Sequence, residues 1–132
     1  MIPSSEAFAA APGVELSVRR LGERTCVINV GASLRAIELA RLDGAVRTAS
    51  QDGCRDFVFD LSYLRRYETL ALARVARDWD DLVALGCQVH VAVREPRVRA
   101  ELERMALTEE WALHRSPTQA LRALLSAPVT PA

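Results

Sequence analysis

Asp60, Ser62 and Thr69 bring a carboxylate and two hydroxyls to the end of an apolar run and the start of an amphipathic one, with Arg65, Arg66, Tyr67 and Glu68 between them. Oxygen nucleophiles, guanidinium groups and a helix N-terminus are the parts of phosphate chemistry, because free N–H groups and the macrodipole favour an anion there. The same loop also suits recognition, since arginine and tyrosine are enriched among the residues that dominate interfaces. The chain contains no lysine, so a P-loop, a Schiff-base amine and a lysine-assisted acyl phosphate are all excluded. A receiver-type role for Asp60 fails a second time, because the first strands supply no paired acids for magnesium. His90 alternates with Val89 and Val91, and His114 lies beside a helix start. Neither neighbours a nucleophile elbow, so both read as structural.

Cys26, Cys54 and Cys87 lie far apart without a CxxC pair, as buried small hydrophobes do. With only His90 and His114 to complete a metal site, no metal or cofactor is expected. An odd cysteine number and no export signal suit a reducing, cytoplasmic setting. The 132 residues, 50% hydrophobic and 26% charged, are enough for one core without staples. Net charge is zero, with 17 basic and 17 acidic residues, so no field selects nucleic acid or anionic lipid. No apolar run reaches the ~18 residues that a membrane span needs.

The elements that must position the loop follow from periodicity. Residues 14–18 alternate strictly, a turn is expected at 21–24, and residues 25–30 read as a second strand, giving a hairpin. Leu34, Ile37, Leu42, Ala45, Val46 and Ala49 recur at helical spacing over residues 34–50, and Gly53 stops the helix. Residues 57–61 are nearly all apolar, as in a strand covered on both faces. Over residues 69–85, Leu72, Val75, Ala76, Trp79, Leu82 and Val83 form one helical face, with Arg74, Arg77, Asp78 and Asp81 opposite. A strand at 87–93, a helix from Pro96 to about Met105 with Val98, Leu102 and Met105 inward, a short strand at 111–114 and a helix from Pro117 to Leu125 complete the chain. Arg94, Arg97, Arg99, Glu101, Glu103 and Arg104 read as a solvated helix face with i,i+3 and i,i+4 pairs. Without glycine-rich backbone, that cluster is not expected to hold a nucleotide phosphate. The order β-β-α-β-α-β-α-β-α predicts an α/β domain with a mixed sheet over residues 13–125, between flexible tails at 1–12 and 126–132.

This succession resembles the STAS domain of bacterial anti-sigma-factor antagonists. Asp60-Leu61-Ser62 matches the family's DLS-like turn, and Glu68-Thr69-Leu70-Ala71-Leu72 falls on its Asp-Ser-Ser-Gly-Leu motif. The resemblance implies a non-enzymatic interaction domain whose partner is an anti-sigma-factor serine kinase. In the family that kinase phosphorylates the motif's second serine; Leu70 holds that place here. Arg35 likewise stands where the family's Gly-x-Leu-Asp stretch would place its acid. The resemblance therefore implies a divergent antagonist that binds constitutively or is switched at Thr69, which otherwise serves as helix N-cap. Leu70 falls on the wheel with Arg74, Arg77 and Asp81, so its side chain should face outward. The expected docking set is Arg65, Arg66, Tyr67, Glu68, Thr69, Leu70 and Arg74. An accessory or scaffold subunit of a stress-signalling or lipid-transporter assembly is the alternative.

Overall fold

The computed structural model describes residues 15–105 and 111–126. Strands β1 (Ser17–Leu21) and β2 (Thr25–Asn29) pair antiparallel across a turn in which Gly22 takes φ 77°, a conformation that favours glycine. Because the turn pivots on Gly22, Leu21 stays in the strand instead of the turn. β1 also begins at Ser17, later than the alternation at residues 14–18 suggests. Val14 lies outside the described residues.

Downstream come β3 (Ser33–Leu34), α1 (Ala36–Gln51), β4 (Asp56–Asp60), β5 (Arg66–Tyr67), α2 (Thr69–Ala84), β6 (Gln88–Ala92), α3 (Pro96–Met105), β7 (Ala112–His114) and α4 (Pro117–Ser126). The main sheet has the order β1-β2-β4-β6-β7, antiparallel only at the β1–β2 edge. It is the mixed α/β architecture that the periodicity predicts. What it adds is a second, two-stranded parallel sheet of β3 and β5. Residues 1–12 and 127–132, taken in the sequence as flexible tails, lie outside the described residues; Ser126 closes α4 instead of opening a tail.

β4 sits at the centre and all its residues are buried, which accounts for its nearly unbroken apolar run. Cys26, Ile28, Phe57, Phe59, Val89 and Val91 belong to the larger core, which Leu42 and Ala49 of α1, Leu72, Val75 and Trp79 of α2, and Val98 and Leu102 of α3 complete. Val27, Val58 and Ala92 pack instead with Ala120 and Leu124 of α4. Trp79 anchors the larger core, with its ring 5.4 Å from Phe59 and 4.9 Å, edge-on, from Trp111. Each such aromatic contact contributes about 0.5–1.5 kcal/mol beyond its buried area.

The first helix departs from its expected face. Ile37 is 56% exposed, because Leu34 is drawn into β3 and the helix starts only at Ala36, which turns its first residues toward solvent. The three cysteines are buried free thiols. Burial, reinforced by the adjoining Cys54 thiol, pushes the Cys26 thiol up to about 12, so it stays protonated and unreactive near neutrality. Among the described residues, no helix is long and apolar enough to cross a membrane.

Candidate functional site

The loop between β4 and α2 is built from its first turn. Asp60 Oδ1 accepts the Ser62 N–H at 2.9 Å, and the Leu64 N–H reaches back to the Leu61 carbonyl at 3.1 Å. Aspartate favours this turn because its short carboxylate can cap the backbone two residues on. Leu61 and Leu64 are buried, so the first turn is pinned to the core ahead of the exposed Arg65 and Arg66.

From there the chain meets the loop that follows β2. Arg65 and Arg66 both donate their N–H groups to the Ala32 carbonyl, at 2.9 and 3.1 Å, and the Glu68 N–H donates to Leu34 at 3.0 Å. Pairing of Ser33 with Arg66 and of Leu34 with Tyr67 makes the β3–β5 sheet. The Glu68 carboxylate crosses the same seam and accepts the Ala36 N–H, at the first turn of α1, at 3.2 Å. It therefore satisfies an orphan donor of the neighbouring helix and favours its positive end.

Glu38 closes that helix start from its other side. Its carboxylate accepts the Arg35 N–H at 2.9 Å and pairs with the Arg35 guanidinium at 3.1 Å. The guanidinium hydrogen bond is the main reason that the Glu38 carboxyl is lowered to about 2. Arg35, which stands where the resemblance would place an acid, is thus the residue that orders Glu38.

Thr69 is not the N-cap. Glu68 holds the extended φ/ψ of −88° and 134° that a cap requires, and α2 begins at Thr69. The cause is Glu68's backbone bond to Leu34, which fixes it outside the helix. Thr69 is exposed in the first turn. Beside it Leu70 is 84% exposed, the highest value among the large hydrophobic residues described, as its place on the helical wheel requires.

The remaining expected docking residues divide. Arg65 and Arg66 are exposed. Tyr67 is half-buried against the core and, with Arg65, lines a small cleft facing Arg97 and Val98 of α3. Arg74 leans toward α1, pairing with Asp43 at 3.5 Å and with Asp78 at 3.4 Å. Burial, followed by the Asp43 charge, raises the Asp78 carboxyl above its usual value. Arg74 thus also braces α2 against α1.

Two features escape a sequence reading. A two-residue strand has no periodicity, so nothing announces the β3–β5 seam. The histidines, each expected to be structural, meet across β6 and β7: His90 Nδ1 lies 2.9 Å from His114 Nε2, with the rings stacked at 5.1 Å. Their two-residue alternation on adjacent strands was the available signal, once β6 and β7 are known to be neighbours. Among the described residues, no group of three or more histidine, cysteine or acidic side chains could hold a metal ion.

No protein-family model and no curated protein sequence matches the chain. Solved structures do. The unphosphorylated anti-sigma factor antagonist SpoIIAA superposes with a TM-score of 0.69 at 13% identity, covering 86% of this chain and 100% of that one. An anti-sigma factor antagonist from Mycobacterium paratuberculosis gives 0.69 at 19% identity, covering 88% and 98%. A component of the stressosome, a signal integration and transduction hub, gives 0.56 at 16% identity, covering 84% and 100%. The chain has the STAS fold of these proteins.

Proposed function

We propose that the chain is a non-enzymatic STAS-like interaction domain, a divergent anti-sigma-factor antagonist that docks an anti-sigma-factor kinase through the loop and helix start between Arg65 and Arg74. The observation that carries this reading is Leu70, 84% exposed on a helix start whose Glu68 is tied to β3 by its backbone and to α1 by its carboxylate. A large exposed apolar side chain in the same short segment as the exposed Arg65 and Arg66 matches the composition of an interface hot spot. The likeness to two anti-sigma factor antagonists supports the partner class. The function is a cytoplasmic one, in transcriptional signalling.

Leucine cannot accept phosphate, so release of the partner by a charge at position 70 is lost. Thr69, exposed one residue earlier, is the remaining acceptor. A phosphate there would add roughly −1.5 to −2 charges at a helix N-terminus, where the helix tolerates it and a docked partner does not.

Titration of the purified domain with the kinase tests the reading. Leu70→Glu should weaken binding by about thirtyfold or more, the effect of losing a hot spot, with an unchanged melting temperature. Equal affinity of wild type and variant would remove the docking surface. In the same mixture with radiolabelled ATP, label should fall on Thr69 and vanish in Thr69→Ala; label on Ser62 instead would refute the Thr69 switch. The likeness to a stressosome component favours one second reading, a scaffold subunit of a signalling assembly. That reading expects self-assembly or co-assembly without any kinase.

A further inference from the structure

Away from the docking loop, the parallel strands β6 and β7 end side by side, with Ala92 opposite His114 and the Val93 N–H donating to the His114 carbonyl at 2.8 Å. Arg94 and Arg115 therefore leave the sheet as neighbours, though 21 positions separate them in the chain. α3 starts at Pro96 and brings Arg99 into the same space, where Val93, Arg94, Pro96, Arg99 and Arg115 line a cavity of about 540 Å³. A second, open cavity of about 340 Å³ shares Arg94 and Arg115 and is also lined by Ser62, Tyr63 and Ser116, among others. In an open α/β sheet, the crevice beyond the carboxyl ends of the strands is where ligands bind.

The charges here lack counterparts. Among the described residues, neither the Arg94 nor the Arg115 guanidinium has a hydrogen bond or an ion pair. Arg99 has only a loose contact with Glu103 at 3.7 Å, while its Nη1 is buried without an acceptor. Ser62 Oγ, lining the adjoining cavity, is likewise buried and unpartnered. Asp60 also lines that cavity, but it is buried and its Oδ1 is taken by the Ser62 N–H. A buried guanidinium donor without a partner is costly, and such groups are normally satisfied. The helix start of α4 adds little, because Ser116 Oγ already accepts the Gln119 N–H at 3.2 Å. The arginines carry the site.

Although the run from Arg94 to Arg104 alone was not expected to hold a nucleotide phosphate, Arg115 joins Arg94 and Arg99 in the fold, and we propose that this cleft binds the phosphoryl group of a small phosphorylated molecule with these three arginines as its ligands. Three guanidinium forks offer more donors than the two oxygens of a carboxylate can accept, whereas a terminal phosphoryl group presents three oxygens and up to two charges. The larger cavity lies within the size range of small-molecule sites, which favours a free metabolite. The molecule's net charge is zero, so attraction here is local and owes nothing to the overall field.

Pyrophosphate and inorganic phosphate are the probes, titrated into the isotopically labelled full chain and followed by NMR at the arginine Nε–H and backbone signals. Saturable one-to-one shifts should centre on residues 93–99 and 114–119, with pyrophosphate binding more tightly than phosphate. Arg94→Gln and Arg115→Gln, both at exposed positions, should each weaken binding by about tenfold or more, the loss of one charge-assisted contact. Arg77→Gln, on the exposed face of α2, should change nothing. Non-saturating shifts, shifts centred on residues 65–69, or equal losses in all three variants would overturn the proposal.

Discussion

The Glu68 side chain acts outside its own element. Its carboxylate serves the Ala36 N–H of α1, so Glu68→Ala should lower stability by about 0.5–1 kcal/mol, measured as a fall in the urea midpoint with an unchanged m-value. Leu70→Glu should leave that midpoint unmoved, because an exposed surface position rarely shifts stability by more than about 0.5 kcal/mol. The contrast separates two adjacent roles: Glu68 ties the loop to the neighbouring helix, whereas Leu70 is the side chain that the proposed docking surface would offer. Leu70's outward direction was legible in the sequence, since it opposes Leu72, Val75 and Trp79 on one helical period. Glu68's role was not, because its partner lies in a different helix and only the folded seam brings them together. The N-cap assignment of Thr69 failed for the same reason: a backbone bond to Leu34 moved the helix boundary by one residue.

Between elements, the contact of β6 with β7 carries a titratable pair. The His90 imidazole is held below its usual value by burial first and then by the charge of His114, with Asp56 opposing; His114 is lowered by burial and then by Arg99. The folded state thus binds these protons less readily than the unfolded chain, whose imidazoles titrate near about 6.5. Stability should be fully present above that pH and fall as the pH drops through it. Equilibrium unfolding between pH 5 and 8 should follow this course, and His114→Gln should flatten it; a dependence identical to wild type would mean that the pair contributes nothing. Helices such as α2 were readable because Leu72, Val75, Ala76, Trp79 and Leu82 recur every three to four positions and are all buried. The junction of β6 with β7 was not, because strand order is set by packing between distant segments. Ile37 shows the limit of periodicity itself: it has the right spacing, yet the turn geometry of Gly31 to Arg35 places it outside the core.

At the scale of the molecule, one buried aromatic joins the layers. Trp79 links α2 to Phe59 of the central strand and to Trp111 ahead of β7, so Trp79→Ala should cost about 3–5 kcal/mol in chemical unfolding. The α/β class and the sheet's alternation with helices were legible because a parallel core strand needs apolar residues on both faces. The convergence of Arg94 and Arg115 was hidden, since adjacency of strand ends is a property of the whole sheet. The β3–β5 seam has a thermodynamic consequence of its own. Two connecting segments that are fastened together by backbone bonds and by Glu68 have already surrendered their conformational entropy during folding. On the proposed function, a partner gripping Leu70 would meet a surface needing little further ordering, and association would proceed close to rigid-body docking, without the entropic penalty of a folding segment. Calorimetry of the complex would register this as a heat-capacity change no larger than the contact area itself requires.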